Sequence, residues 1–285
     1  MMSGKPKILV TGANGYIGSH TVRALLDRGA SVIAADRSMD FVDPRAERVE
    51  CDIFSEAPAE LFETGLPDAC MHFAWQDGFN HNAPSHMLNL SAHYRFLTDL
   101  AERGVRQLAV MGSMHEVGFH EGAVTEDTPC RPLSQYGVAK NALRESLELF
   151  CRARGIVFQW LRGFYILGDD RRNHSVFSRL LEAAAAGQTE FPFTSGKRRC
   201  DFLTVDELAA QIAASLLQTE VRGIINCCSG RAVPLGEVAE RFIRDRKLNI
   251  RLRYGAFPDR PYDSEAIWGD DAKIRRIMAN AEVHS

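Results

Sequence analysis

A tyrosine and a lysine four residues apart are the first residues here whose spacing suggests chemistry. Tyr136 and Lys140 stand in the run Tyr-Gly-Val-Ala-Lys, which on a helix puts the phenol and the ammonium on one face. A phenol with its ordinary pKa of about 10 is a poor acid–base catalyst at neutral pH, but a nearby cation lowers that pKa. Ser113 precedes them at the end of a predicted strand. The three side chains predict proton transfer to or from a substrate oxygen.

A glycine-rich loop near the N-terminus predicts a second functional element. It follows one predicted strand and opens a predicted helix. In such a loop one glycine permits the tight turn, one lets the backbone approach a pyrophosphate, and one lets the helix pack on the strand. The free amides and the helix dipole then hold the phosphates. The residues expected to contact a dinucleotide here are Gly12, Asn14, Gly15, Tyr16, Ile17 and Gly18.

Two residues at the end of the second predicted strand bear on the choice of dinucleotide. The carboxylate of Asp36 would accept hydrogen bonds from the adenosine ribose and repel a 2′-phosphate. Arg37 follows directly and would attract that phosphate. We predict NAD, with NADP as the alternative. Asp52 and Ile53 follow the third predicted strand, where Asp52 either touches the adenine or is a surface-turn carboxylate.

The elements that must position these residues alternate between strands and helices. Strands are predicted at residues 7–11, 31–35, 48–51, 69–74, 107–111 and 156–161, and helices at residues 16–28, 55–64, 86–103 and 136–154. This alternation is typical of an α/β fold, a doubly wound parallel (Rossmann) sheet covered on both faces. The pattern loosens after Arg162, although residues 223–228 read as a strand that rejoins the sheet. We therefore expect a dinucleotide-binding domain of residues 1–165 plus 203–228, interleaved with a smaller substrate-binding domain of residues 166–202 plus 229–285.

Composition narrows the class of protein. The 285 residues carry 34 Lys and Arg against 37 Asp and Glu, a net charge of −3, which argues against a nucleic-acid partner. The sequence has neither the ~18-residue apolar stretch of a membrane span nor the apolar core of a signal peptide. Seven cysteines without a Cys-x-x-Cys pair fit a reducing compartment, so we expect a cytoplasmic protein. Nine histidines show no recognised ligand spacing, so no metal is expected.

Taken together, these motifs resemble those of the extended short-chain dehydrogenases/reductases, in the NAD-dependent epimerase/dehydratase group that acts on nucleotide sugars. The resemblance covers nearly the whole chain and is carried by residues 11–18, 51–53, 72–75, 134–140, 161–162, 200–206 and 260–261, with Asn89 and Ser113 between them.

The resemblance implies a catalytic tetrad of Asn89, Ser113, Tyr136 and Lys140. Tyr136 would be the acid or base, and Lys140 would tune it while holding the nicotinamide ribose. Ser113 would bond the reacting sugar oxygen. Asn89 would support Lys140 through water, or else is a polar residue on an exposed helix face.

The resemblance also implies the walls of the two binding regions. Phe73, Ala74 and Trp75 would line the cofactor, or else belong to the strand core, and we place Tyr165 with them. The expected substrate-side residues are His115, Glu116, Asn173, Arg199 and Arg260. His115 or Glu116 is a candidate second acid–base group, or else forms loop structure. Cys200 stands where the family has a diphosphate-binding Arg, and Tyr165 where it often has Asn, so we expect a rebuilt substrate pocket.

The expected reaction is reduction of a nucleotide-linked 4-keto sugar, in particular a 4-keto-6-deoxy sugar, by NAD(P)H, with Tyr136 as proton donor. Met114 and His115 stand where dehydratases have an Asp-Glu pair, which argues against dehydration. One alternative is an NAD-dependent nucleotide-sugar 4-epimerase. Another is a non-catalytic NAD(P)-sensing protein, although such proteins typically lose the Tyr or the Lys. The resemblance further implies a homodimer formed through the helices at residues 86–103 and 136–154.

Overall fold

The computed structural model of the protein describes residues 5–54, 59–63, 65–168, 175–259 and 264–283. Its strands are β1 (Lys7–Thr11), β2 (Ser31–Asp36), β3 (Glu47–Glu50), β4 (Ala69–His72), β5 (Gln107–Ser113), β6 (Gly122–Val124), β7 (Val157–Gly163), β8 (Tyr165–Leu167), β9 (Glu190–Pro192), β10 (Arg199–Thr204), β11 (Gly223–Cys227), β12 (Ala232–Pro234), β13 (Arg251–Arg253) and β14 (Ala266–Gly269). Its α-helices are α1 (Tyr16–Asp27), α2 (Ser85–Leu88), α3 (Leu90–Arg103), α4 (Gln135–Arg154), α5 (Val176–Ala185), α6 (Val205–Leu216), α7 (Leu235–Asp245) and α8 (Ala272–Val283). Short 3-10 helices span Ala59–Phe62 and Met114–Glu116.

The main sheet has seven parallel strands in the order β3-β2-β1-β4-β5-β7-β11. In its register Val10 of β1 lies between Ala34 of β2 and Met71 of β4. The chain runs outward from β1 first to one side and then, from β4, to the other. In sheets of this kind ligands bind at the carboxyl ends of the strands where the order reverses. The doubly wound Rossmann sheet expected from the sequence is confirmed.

Both faces of this sheet are buried, which explains why its strands are apolar runs without alternation. On one face Ile8 and Val10 pack in a cluster with residues of α1, α6 and α8. On the other face Leu9 packs with residues of α3 and α4. Helices therefore pack on both faces of β1 and fix the position of its carboxyl end.

A second region lies beyond the carboxyl ends of the main sheet. It contains a sheet with the strand order β12-β10-β14-β6, in which β8 also pairs with β10. Strands β13 and β9 form a separate pair. Helices α5 and α7 close its core, where the rings of Phe177 and Phe242 lie 5.1 Å apart. Strand β6 joins this region from the first half of the chain, and α8 packs back on the main sheet. The two-domain division stays a proposal, because each region takes a segment from the range expected for the other.

Two predicted helices differ from the structure. The helix expected at residues 86–103 is divided into α2 and α3 at Asn89, whose side-chain amide donates a 2.8 Å hydrogen bond to Gln76. Of the helix expected at residues 55–64, a 3-10 turn at residues 59–62 is present, and residues 55–58 and 64 lie outside the described residues. Among the described residues, no helix is both long enough and apolar enough to span a membrane.

Candidate active site

The glycine loop after β1 has the geometry that a pyrophosphate needs. Gly12 has a φ of +69°, and a Cβ there would lie 2.6 Å from the backbone nitrogen of Ala74. A Cβ on Gly18 would lie 2.1 Å from the carbonyl oxygen of Gly12. Both positions therefore require glycine, and Gly15 caps α1 without a side chain. The first amides of α1 have no intrahelical partner, so they are available to a phosphate.

Asp36 fixes a negative charge beside this loop. Its carboxylate accepts hydrogen bonds from the backbone amides of Asn14, at 2.9 Å, and Arg37, at 2.7 Å. Asn14 in turn braces the chain after β2, donating to Ser38 and accepting from the amide of Phe41, both at 2.7 Å. The Arg37 side chain is exposed. The fixed carboxylate at the end of β2 suits ribose hydroxyls and opposes a 2′-phosphate.

Four other expected cofactor contacts lie around the loop. Tyr16 and Ile17 are half-buried in the first turn of α1. Ile53 is buried, and the exposed Asp52 accepts a 3.0 Å hydrogen bond from the amide of Phe54. These positions fit a dinucleotide at the carboxyl edge of β1 and β2.

Two buried histidines lie next to the residues expected to line the cofactor, a feature that the sequence analysis missed. Thr11 Oγ1 lies 2.8 Å from His72 Nδ1, and His72 Nε2 lies 2.9 Å from His93 Nδ1. Burial lowers the pKa of His93 to about 3 and that of His72 well below its usual range. Both imidazoles are therefore neutral. The expected lining residues follow at the end of β4, where Phe73, Ala74 and Trp75 are half-buried against the core clusters.

The proposed catalytic groups converge at the start of α4. Ser134 caps this helix by accepting a hydrogen bond from the amide of Gly137. A Cβ on Gly137 would lie 2.4 Å from the carbonyl oxygen of His115, so glycine permits the close approach of α4 to the turn after β5. As a result, the Tyr136 phenol lies close enough to Ser113 for the serine hydroxyl to affect its pKa.

Lys140 lies one turn further along α4 and is 2% exposed. Its Nζ donates a 2.7 Å hydrogen bond to the carbonyl of Met111 and lies 5.8 Å from the centre of the Tyr136 ring. The Asn89 amide, expected to support Lys140, contacts Gln76. The structure thus gathers Ser113, Tyr136 and Lys140 at one sheet edge.

Burial controls the protonation of Tyr136 and Lys140. It raises the pKa of Tyr136, and the Glu116 carboxylate raises it further, against the hydrogen bond from Ser113. Burial also lowers the pKa of Lys140 to about 7, opposed by Glu116. The net shift of the Tyr136 pKa is upward, because desolvation outweighs a nearby cation that is itself only partly charged at neutral pH. Tyr136 is therefore a neutral phenol, the form that donates a proton.

Glu116 does not face the cleft, contrary to the sequence-based expectation. Its side chain is fully buried and accepts hydrogen bonds from Trp160 Nε1, at 2.9 Å, and from the amide of Ser113, at 2.6 Å. Arg162 Nε completes an ion pair at 3.4 Å. Burial nonetheless raises the pKa of Glu116. The carboxylate braces the turn that carries Ser113 and has no route to substrate.

Three histidine rings surround the Tyr136 phenol. His81 stacks nearly parallel to it, with ring centres 5.4 Å apart, while His86 and His115 lie at 5.3 and 6.0 Å. The backbone amide of Tyr136 donates to the His81 carbonyl at 2.9 Å. Burial lowers the pKa of His115 to about 4, aided by His81 and Arg198, and also lowers the pKa of His81. His115 thus lies where expected, whereas His81 was missed because only its place after β4 hinted at a role.

Arg198, not Arg199, points toward this group. Arg199 is exposed and donates to the carbonyl of Ala232 at 3.1 Å. Arg198 is half-buried, donates to the Tyr165 hydroxyl at 2.6 Å, and acts electrostatically on His115. Neighbouring residues of an extended chain project to opposite faces, which explains the difference. Tyr165, expected along the cofactor, is thus paired with Arg198. Asn173 and Arg260 lie outside the described residues.

A Rossmann sheet with a phosphate-binding glycine loop and a Ser–Tyr–Lys group at its carboxyl edge defines an NAD-dependent enzyme of the extended short-chain dehydrogenase/reductase type. The described residues fit that cofactor, since glycine at positions 12 and 18 permits the tight turn that sets the first amides of α1 at the carboxyl end of β1, and Asp36 lies beside them. The sequence model of the NAD-dependent epimerase/dehydratase family matches residues 8–228. The chain belongs to this family.

Three similar proteins illustrate the relationship. The dTDP-6-deoxy-L-talose 4-dehydrogenase (NAD(+)) of Aggregatibacter actinomycetemcomitans is 42% identical over 92% of this chain and 98% of that protein. The structure of MoeE5 with UDP-glucuronic acid and NAD is 27% identical, with a TM-score of 0.78 over 97% of this chain and 93% of the other. A UDP-glucose 4-epimerase structure is 22% identical, with a TM-score of 0.83 over 95% and 90% of the two chains, and shares the fold.

Proposed function

We propose that the protein is an NAD-dependent oxidoreductase that acts on C4 of a nucleotide-linked 6-deoxy sugar and reduces the 4-keto form. The observation that carries the proposal is the convergence of Ser113, Tyr136 and Lys140 at the carboxyl edge of the sheet, with Lys140 Nζ 5.8 Å from the centre of the Tyr136 ring. The similarity to a 4-dehydrogenase over nearly its whole length supports the same choice of carbon and of NAD. A dehydrogenase and a reductase catalyse one equilibrium in opposite directions, so that name is compatible with reduction.

Each residue of the group has a distinct part in this reaction. NAD, when bound as NADH, supplies the hydride. Ser113 donates a hydrogen bond to the keto oxygen, and Tyr136 donates the proton that makes this oxygen a hydroxyl. Lys140 holds positive charge beside the phenol and favours the phenolate left behind. In the oxidative direction Tyr136 takes the hydroxyl proton instead, so one group serves as acid and as base.

The substrate side is proposed to hold the nucleotide diphosphate through Arg198. A guanidinium is suited to phosphate oxygens, and Tyr165 fixes its orientation by a 2.6 Å hydrogen bond. His81 and His115, whose ring centres are 4.4 Å apart, both contact the Tyr136 ring, and burial lowers the pKa of each so that the neutral imidazole is favoured. They are therefore suited to hydrogen bonds with sugar hydroxyls.

Epimerisation at C4 is the second candidate, because a UDP-glucose 4-epimerase of Lactobacillus helveticus is 25% identical over 95% of this chain. Cofactor retention separates the two reactions, since an epimerase must keep its nicotinamide throughout the cycle and a reductase must exchange it. A third possibility, an NAD(P)-sensing protein without turnover, leaves the assembled Ser113, Tyr136 and Lys140 unexplained.

The test combines purified protein, NADH and a dTDP-4-keto-6-deoxy sugar. A reductase consumes one NADH per sugar reduced, seen as loss of the reduced-nicotinamide absorbance, and is isolated with little bound dinucleotide. Stoichiometric NAD⁺ after purification, together with interconversion of two 4-epimers without net redox change, would overturn the reductase assignment.

A homodimer in the cytoplasm completes the proposal. Helices α2, α3 and α4 present large apolar side chains to solvent, including Leu88, Tyr94 and Leu149. A groove of about 330 Å³ between them is lined by Met87, Leu90, Ser91, Tyr94, Leu143 and Ser146. Burying this face between two copies would remove it from water.

All seven cysteines are free thiols, which supports a reducing compartment such as the cytoplasm.

A further inference from the structure

Trp75 is held in one orientation by two histidines. Its indole Nε1 donates a 3.0 Å hydrogen bond to His86 Nδ1, and His86 Nε2 lies 2.9 Å from the carbonyl oxygen of Asn80. Because an indole nitrogen only donates and a carbonyl only accepts, His86 must be neutral with its proton on Nε2. The His93 ring stacks on the indole at 4.3 Å, with 14° between their planes. The indole ring cannot turn without breaking these contacts.

The ammonium of Lys140 lies over this fixed ring. Lys140 Nζ is 3.8 Å from the ring centre of Trp75. Its other partner is the Met111 carbonyl, a neutral acceptor. A cation over the face of an aromatic ring is attracted by the ring quadrupole, most strongly for tryptophan and more so when water is excluded.

The groups that face Lys140 explain why this contact matters. On its own helix is Tyr136, a neutral phenol. From β4 and α3 come His72 and His93, both neutral. From the turn after β5 comes Glu116, whose carboxylate favours the ammonium but is already paired with Arg162. A lysine so deeply buried loses its charge unless its surroundings replace the lost water.

We propose that Trp75 is a positioning residue for Lys140: its indole ring holds the ammonium beside Tyr136 and stabilises the charged form that the reaction uses. Burial leaves the pKa of Lys140 at about 7, so a modest change in its surroundings decides its charge at neutral pH. The inference rests on the proposed function through the role of Lys140. The effect of Trp75 on the charge of Lys140 is nevertheless expected in the protein without substrate as well.

Titration of Lys140 by NMR tests the inference without any substrate. The chain has only six lysines, so protein labelled with ¹³C-lysine gives few signals, and a Lys140→Met variant identifies the one from Lys140. In the wild-type protein this signal should show an upfield ring-current shift from the indole. An unshifted signal would overturn the proposal and needs no Trp75 variant.

The variants then separate the ring face from the indole N–H. Trp75→Leu removes the aromatic face, so the midpoint of the Lys140 titration should fall by about one pH unit. Trp75→Phe keeps a face and should titrate much closer to wild type. Trp268→Leu, which removes a half-buried indole from β14, is the matched control and should leave the midpoint unchanged. A Trp75→Leu midpoint equal to wild type, or equal effects of Leu and Phe, would contradict the proposal.

The pH dependence of turnover supplies the second readout. Activity that needs the Lys140 ammonium declines as pH rises through its pKa, so Trp75→Leu should move the alkaline limb of kcat/KM to lower pH. If the NMR midpoint moves while none of the proteins reduces a 4-keto sugar, the proposed function fails and the inference about Trp75 stands. If turnover is normal and the midpoint does not move, the proposed function stands and the inference about Trp75 fails.

Discussion

The hydroxyl of Tyr165 accepts a 2.6 Å hydrogen bond from the guanidinium of Arg198. The two residues come from different strand segments, β8 and the approach to β10, which pair in parallel. The contact aims a half-buried positive charge across the cleft toward His115 and Tyr136. It provides a candidate anion contact two residues before Cys200.

Arg198→Met should therefore raise KM for the nucleotide sugar at least about tenfold, with a smaller change in kcat, because a phosphate contact far from C4 binds ground state and transition state alike. Arg199→Met, which removes an exposed neighbour of the same type, is the control and should behave like wild type. Steady-state kinetics at saturating NADH measures both. The assignment fails if the two variants are indistinguishable.

Tyr136→Phe should lower kcat/KM by at least about 100-fold and leave the affinity for NADH nearly unchanged. The phenol is needed for proton transfer, while the glycine loop holds the pyrophosphate. Lys140→Met should weaken both activity and NADH binding, because Lys140 is proposed to serve the phenol and the ribose. Quenching of tryptophan fluorescence reports binding. A Phe variant that keeps more than about a tenth of wild-type kcat/KM would exclude Tyr136 as the proton donor.

Asp36→Ala should shift the preference from NADH toward NADPH. Removing the carboxylate that now accepts the Asn14 and Arg37 amides takes away the charge that opposes a 2′-phosphate, and the exposed Arg37 can then attract it. The ratio of kcat/KM for the two cofactors gives the answer. If the wild-type protein already prefers NADPH, Asp36 is not the discriminating residue.

Stability should fall as pH drops below about 6.5, the ordinary histidine pKa. Burial lowers the folded-state pKa of His93 to about 3, so between these values the unfolded chain binds a proton that the folded protein does not. Each such histidine reduces the free energy of unfolding by up to about 1.4 kcal/mol per pH unit. Urea unfolding of wild type and His93→Gln between pH 7 and pH 5 should show a shallower slope in the variant. Parallel slopes would show that His93 is not held neutral.

Leu149→Arg should convert the proposed dimer to a monomer while NADH binding persists. Leu149 is 65% exposed on α4, so in an isolated chain the charge is tolerated, whereas in an interface it would be buried. Glu237→Gln, an equal change of charge at an exposed site on α7 and away from these helices, is the control for surface charge. Light scattering at micromolar concentration gives the mass of each protein. A monomeric wild type would count against the dimer.

Local pattern was sufficient to predict the seven strands of the main sheet and to indicate several candidate site residues. The glycines after β1 are recognisable because the turn and the close helix approach leave no room for a Cβ at Gly12 and Gly18. Tyr136 and Lys140 are recognisable because their spacing is the period of one helix. Asp36 is recognisable from its place at a strand end. Each of these features depends on residues close together in the chain.

What only the tertiary structure decided concerns residues that are far apart in the chain. The expected orientations of Glu116 and Arg199 were reversed, because the sheet partner Trp160 buries the first and the strand's alternation turns the second outward. The sequence could not show that His81 stacks on Tyr136, or that Trp75 lies beneath Lys140, since both contacts join α4 to the segment that follows β4, more than 50 residues earlier in the chain. The tertiary structure also determines the protonation of Tyr136 and Lys140, because desolvation depends on how completely the fold encloses a side chain. The spacing of residues along the chain does not show the extent of that enclosure.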